Sequence, residues 1–227
     1  MKTIICKTCL KDFSYEPIFF PGTQKEIGSR KHCDDCIPKL EQEANQAEAL
    51  RIEAERVQEW DKICPPLYRD TDRSKLVIKP ATIDKVLKWS VGPKGIALAG
   101  KTGAGKTRTM FLLLHKLHTD GHRVMAMSAK KFEGYCHRMF EKDDDARDRL
   151  RMMKRAEILF IDDVGKEKFT ERVESEFYDL IETRTSHLRP ILWTCNTNGA
   201  GLIAMMSADR GEPIVRRLKE FTQIETV

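Results

Sequence analysis

The sequence has no apolar run near the roughly 20 residues that cross a bilayer. Its first residues, Met1 to Cys6, also lack the long apolar stretch of a secretory leader. A membrane-embedded or exported protein is therefore not expected. The expected setting is the cytoplasm, or a host's cytoplasm if a phage encodes the chain. There, cysteines bind metal or stay free rather than cross-link. Between Pro38 and Asp61 glycine and further proline are also missing, so nothing stops that stretch from forming one helix. The chain has 227 residues, 41% apolar and 33% charged, enough for a packed core. That length suits one ordinary domain with a small addition.

Charge is unevenly distributed. The formal net charge is +5, but residues 1–36 carry +1, residues 37–61 carry −4 and residues 62–227 carry +8. A basic main domain permits contact with nucleic acid without requiring it.

Four of the seven cysteines fall in two identical spacings, Cys6-x-x-Cys9 and Cys33-x-x-Cys36. Each pair can place two thiolates on one ion through a tight turn, and four thiolates complete the tetrahedral shell of structural zinc. A segment this short cannot bury enough apolar surface by itself, so a metal clip makes physical sense. Disulfides or free thiols are the alternative, and His32 is a reserve ligand. Phe13, Tyr15, Phe19 and Phe20 are expected to pack around the knuckles. Leu40, Ala44, Ala47, Leu50, Ala54 and Val57 then recur at steps of three and four, predicting a helix with a thin apolar stripe. It either packs on its neighbours or docks on a partner. Cys64-Pro65-Pro66 ends it. The expected organisation is a four-cysteine zinc module at 1–37, a connecting or partner-binding helix at 38–63 and an α/β domain at 64–227.

The short apolar run Gly95–Ala99 feeds Gly100-Lys101-Thr102-Gly103-Ala104-Gly105-Lys106-Thr107, a full match to G-x-x-x-x-G-K-[ST]. The glycines let backbone N–H groups curl around phosphate oxygens. Lys106 reaches the β- and γ-phosphates of ATP or ADP, and the Thr107 hydroxyl ligates Mg²⁺. Met110, Leu113, Leu114 and Leu117 make the next segment an amphipathic helix whose N-terminus favours an anion. Gly100 to Arg108 form the candidate nucleotide-binding set. Downstream, the buried run Ile158–Ile161 leads into Asp162-Asp163, the Walker B layout. Asp162 is the expected Mg²⁺ holder. Asp163 is the expected carboxylate that orients or deprotonates water. Aspartate is a shorter base than the glutamate usual there, so slow hydrolysis is expected. A third strand, Ile191–Thr194, ends in Cys195-Asn196, where Asn196 can touch the γ-phosphate or the water. Asn198 is expected to cap the next turn. Further strands are expected at 123–128 and 222–227. Helices are expected near 107–119, 130–141, 145–155, 169–188, 199–206 and 212–219. The alternation predicts a mostly parallel sheet covered on both faces.

Taken together, these features resemble an AAA+ ATPase. More narrowly they resemble the replicative-helicase loaders of the DnaC/DnaI type and the related IstB-type transposition ATPases. Cys64-Pro65-Pro66-Leu67-Tyr68-Arg69-Asp70 resembles the family's I-P-P-x-Y-R segment, which implies that Tyr68 lies over the adenine. Ile158–Gly165 is close to the family's Walker B with its trailing glycine, and Thr194-Cys195-Asn196 matches sensor 1. Gly211–Leu218 resembles the terminal box bearing an arginine finger. This implies Arg217 as the finger, with Arg216 second, and self-assembly so that it reaches a neighbour. The chain stops at Val227, so the helical lid of larger relatives is expected to be absent, as in short loaders. The resemblance implies an ATPase that works with a DnaB-type ring helicase and single-stranded DNA. The alternative is a transposition ATPase acting on duplex DNA with a transposase. A small-molecule kinase fits poorly with the D-D-V-G and T-C-N pairing.

The segment from Lys130 to Arg155 lies where such proteins present helices to single-stranded DNA. Lys130 and Lys131 are the candidate cations, and Phe132 and Tyr135 the candidate stacking rings. Asp143-Asp144-Asp145 interrupts the basic field.

Overall fold

In a computed structural model, residues 1–24, 26–166 and 169–227 are described, with Ala208 by its backbone alone. The chain forms two compact units, Met1–Gln58 and Glu59–Val227.

The first unit contains two antiparallel pairs, β1 (Lys2–Ile5) with β2 (Asp12–Tyr15) and β3 (Ile18–Phe19) with β4 (Glu26–Ile27). Tyr15 is buried, stacks on Phe13 at 6.0 Å and donates to Glu26 at 2.5 Å. Phe19 and Phe20 stay about half exposed, contrary to the expectation that they pack around the cysteines. So few residues cannot surround four aromatic rings, and of the four only Tyr15 is buried, with Phe13 partly so. The long helix α1 (Ile37–Ile63) runs through the division between the units. Leu50 and Val57 of its stripe remain exposed.

The second unit starts where α1 gains a core anchor. Trp60 is buried against Phe111, His115 and His118, which places the last turn of α1 in this unit. The short α2 (Pro66–Arg69) and α3 (Pro80–Leu87) follow. Five parallel strands then form one sheet in the order β6-β7-β8-β5-β9: β5 (Gly95–Ala99), β6 (Val124–Ser128), β7 (Ile158–Val164), β8 (Ile191–Cys195) and β9 (Thr222–Thr226). The inner strands β5, β7 and β8 are buried on both faces because helices cover both. One face packs on α3 and α4 (Lys106–Thr119) through Ile96, Leu98, Leu114 and Phe160. The other packs on α5 (Ala129–Phe140), α6 (Asp144–Arg155), α7 (Glu171–Ser186), α8 (Gly199–Ala204) and α9 (Ala208–Glu220).

Polar residues start several helices, Asn198 among them as the sequence predicts. Ser128, Asp143 and Asn198 accept from backbone N–H groups at the starts of α5, α6 and α8. The last helix begins at Ala208 rather than near 212, so Pro213 lies inside it. One buried acidic residue lies at its start. Glu174 of α7 accepts from the Ser207 N–H at 2.8 Å and from its hydroxyl at 2.5 Å, at the N-terminal end of α9. Arg184 of α7 is fully buried and donates to the carbonyls of Met153, Ala156, Glu157 and Pro190 at 2.7–3.3 Å. It thereby satisfies carbonyls left over where α6 ends and β7 begins.

Candidate active site

The site lies at the C-terminal ends of β5, β7 and β8, where parallel sheets place their ligands. Gly103 and Gly105 adopt φ of 82° and 85°, the left-handed conformation that lets the loop turn its amides inward. Gly100 has a different reason to be glycine. A Cβ there would come within 1.9 Å of the Val227 carbonyl oxygen on the neighbouring edge. Lys106 is buried and donates to the carbonyls of Gly100 and Lys101 at 2.9 Å and to Asn196 Oδ1 at 2.7 Å. Burial pulls its ammonium below the usual pKa.

The two carboxylates are aimed by a bulge. Ile161 pairs with Trp193 but Val164 pairs with Cys195, so β7 carries one extra residue at Asp162-Asp163. Asp163 takes φ of 59°, a left-handed conformation. Asp162 Oδ1 accepts from the Thr107 hydroxyl at 2.8 Å and the Thr194 hydroxyl at 2.6 Å. Burial pushes its carboxyl above the usual value. Asp163 Oδ1 accepts from Asn196 Nδ2 at 3.0 Å, and the ammonium of Lys166 lies 3.4 Å from Oδ2. One hydrogen-bonded chain therefore runs from Lys106 through Asn196 to Asp163. Gly165 follows because a Cβ there would meet Leu202 at 2.4 Å.

These donor sets fit their expected ligands. A hydroxyl and a carboxylate oxygen at 2.8 Å suit Mg²⁺, which takes oxygen ligands and would relieve the burial of Asp162. On the base side, Tyr68 stacks on Phe111 at 5.0 Å and lies 5.6 Å from the Arg108 guanidinium. Arg108 also donates to Thr71 at 3.0 Å, and an open hollow of about 600 Å³ lies between it and Pro66, Leu67 and Asp70. In the first unit, the sulfurs of Cys6, Cys9, Cys33 and Cys36 all lie within 4.8 Å of one another, with Cys9 and Cys33 at 3.6 Å. Four thiolates about 2.3 Å from a tetrahedral zinc sit at that mutual distance. His32 is turned away from them, bonded to the Thr8 hydroxyl at 2.8 Å.

Two expectations meet a different geometry. Phe132 is fully buried between Phe169 and Phe177, so its ring is not presented to bases. The α5 spacing turns Phe132 and Cys136 to the sheet and leaves Lys131 outside. Tyr135 is half-buried with Arg138 over its ring at 4.9 Å. Much of the basic field is locally paired: Lys130 with Glu133, Arg147 with Asp144, and Arg151 with Asp148. Arg217 is half-buried and pairs with Glu182 of its own chain at 3.0 Å, whereas Arg216 is exposed. Thr194 and Lys166 are site residues to which the sequence reading gave no role. The first was legible only as part of the T-C-N match. The second carries no local signal.

A strand, a glycine loop opening a helix, and a pair of carboxylates on a second strand define a P-loop nucleotide-hydrolysing protein. Residues 96–217 match the ATPase family associated with various cellular activities (AAA), and the chain belongs to that family. It is 21% identical over 127 residues to YdaV of Escherichia coli K12, covering 56% of this chain and 50% of YdaV. Among solved structures it resembles the DnaC helicase loader with a TM-score of 0.56 and 19% identity, over 74% of this chain and 98% of that one. DnaI gives 0.55 and 19%, over 70% and 85%. AMPPCP-bound DnaA from Aquifex aeolicus gives 0.58 and 19%, over 72% and 50%. The chain thus spans about half the length of YdaV and of that DnaA. At such identities the likeness shows the fold.

Proposed function

We propose that this chain is an ATP-dependent accessory of DNA replication, acting in the cytoplasm. It binds ATP·Mg²⁺, assembles on single-stranded DNA and delivers a DnaB-type ring helicase. The observation that carries this reading is the fold's match to 98% of the DnaC helicase loader's chain.

Lys106 binds the β- and γ-phosphates and gives up its present acceptors to do so. Asn196 and Asp163 are then free to orient the attacking water, and an Asp163 carboxylate oxygen takes its proton. Thr107 and Asp162 hold Mg²⁺, which neutralises charge on the phosphate oxygens. Tyr68 and Arg108 flank the base. Cys6, Cys9, Cys33 and Cys36 hold a structural zinc, and that module with α1 grips the helicase. Lys130, Lys131 and Tyr135 are the proposed DNA contacts. Arg217 serves as the arginine finger once a neighbour's phosphate replaces Glu182, and Arg216 is the exposed second candidate.

Native mass spectrometry with the host's ring helicase tests the loader reading. A stoichiometric complex that differs between ATP·Mg²⁺ and ADP is expected. Absence of a complex in both states, together with preference for duplex DNA, would transfer the reading to a transposition ATPase.

A further inference from the structure

A cavity of about 350 Å³ lies behind the phosphate loop, on the α8–α9 side of the sheet. Its walls come from the ends of β5 and β8, from β9, and from α8 and α9. Trp193, Leu202, Val215 and Leu218 make them apolar, and each of these is buried. The volume is at the small end of ligand sites, which run from about 300 to 1,000 Å³.

The charges around it point one way. Lys101 and Lys219 line the cavity, and among the described residues no Asp or Glu does. Neither lysine has an ion pair among the described residues, although the chain pairs many of its other cations. Lys219 is held at the cavity by a local opening. A Cβ on Gly199 would come within 2.7 Å of its Nζ, so glycine leaves room for the ammonium. An apolar chamber with two free cations favours a molecule that is apolar in its body and negative at one end.

The cavity also touches the nucleotide machinery. Gly100 and Asn196 both line it, and the same two residues hold Lys106 through Gly100 O at 2.9 Å and Asn196 Oδ1 at 2.7 Å. Any occupant that presses on them changes the free energy of placing Lys106 on phosphate. Such coupling is reciprocal between the two ligands.

We propose that this cavity is a regulatory site for a small amphipathic anion, a flat apolar body carrying one carboxylate, sulfonate or phosphate, linked to nucleotide binding through Gly100 and Asn196. The site does not depend on which partner the ATPase serves.

The test uses the full chain held in saturating ATP·Mg²⁺, so that the nucleotide site is filled. The probe is 8-anilinonaphthalene-1-sulfonate, followed by its fluorescence. N-phenyl-1-naphthylamine, which has the same ring system without the sulfonate, is the neutral control. One saturable site is expected for the sulfonate, binding about tenfold more tightly than the neutral compound. Lys219→Glu reverses an exposed charge and is expected to weaken the sulfonate about tenfold and leave the neutral compound unchanged. Ile224→Asp places a carboxylate at the wall from a partly exposed position, and is expected to weaken both. Equal binding of the two compounds, or sulfonate binding unchanged in both variants, overturns the site. The linkage is read separately, as the ATP dissociation constant with and without saturating probe. A change of at least about threefold is expected, and an unchanged constant overturns the linkage.

Discussion

Asp162 stores a conflict between stability and function, and replacing it with asparagine exposes that conflict. Its Oδ1 accepts from the hydroxyls of Thr107 and Thr194 at 2.8 and 2.6 Å. An asparagine Oδ1 in the same position accepts from both. What Asp162→Asn removes is a buried negative charge whose desolvation pushes the carboxyl above its usual value. Part of the gain is offset, because the Asp162 charge also favours the buried Lys106 ammonium. The net expectation is about 1 kcal/mol of added stability, or roughly 2–4 °C in Tm for a domain of this size. The pH dependence has a definite sign. The folded carboxyl holds its proton to higher pH than the unfolded one, whose ordinary value is 3.8. Wild-type stability is therefore lost as pH rises from that ordinary value through the raised one. The variant has no such loss, so its advantage is complete at neutral pH and vanishes in acid. Calorimetry in EDTA at neutral pH should show the variant melting higher. With ATP·Mg²⁺ at about a hundred times the wild-type Kd the order should reverse, since the wild type alone gains roughly 2.7 kcal/mol by ligand linkage. A variant that melts at or below the wild type in EDTA would refute the reasoning, because the buried charge would then not be the dominant cost.

Arg184→Met should lower the stability of the second unit by about 3–5 kcal/mol, because it strips the donors from several buried carbonyls; a chemical-denaturation midpoint within error of wild type would contradict this. Thr194→Val keeps the shape but removes the donor to Asp162 and the acceptor of the Asp163 N–H, so ATP turnover should fall about 10- to 100-fold and the melting temperature should drop as well, since two buried partners lose a hydrogen bond. Cys36→Ser should reduce the metal content from one zinc per chain to well under one by atomic emission, and leave Tyr15 less protected in hydrogen exchange. Gly100→Ala drives a methyl into the Val227 carbonyl, and should cost both melting temperature and nucleotide affinity.

The nucleotide site was legible wherever its residues are contiguous. The phosphate loop, the pair Asp162-Asp163 and Thr194-Cys195-Asn196 each sit at the end of a short apolar run, and an apolar run between turn signals reads as a buried strand. The two Cys-x-x-Cys spacings announced a four-sulfur cluster for the same reason, since each half closes within one turn. The helix start at Asn198 followed from a side chain that bonds its own neighbours in sequence.

Reading residues in order therefore yields local features: which segments are strands and helices, and which residue types stand at their ends. Tertiary structure decided the rest. The bond from Lys106 to Asn196 joins residues 90 apart, and that from Thr107 to Asp162 joins residues 55 apart. Neither exists until the strand order β7-β8-β5 brings three strand ends side by side. The bulge that aims Asp162 and Asp163 is a property of pairing with β8 and leaves no mark in composition. Packing turned Phe132 into the core, although two lysines precede it and a glutamate follows. It set Arg217 opposite Glu182 on another helix while leaving Arg216 exposed. A side chain's direction is fixed by what its element packs against, and that information is spread over residues far apart in the chain.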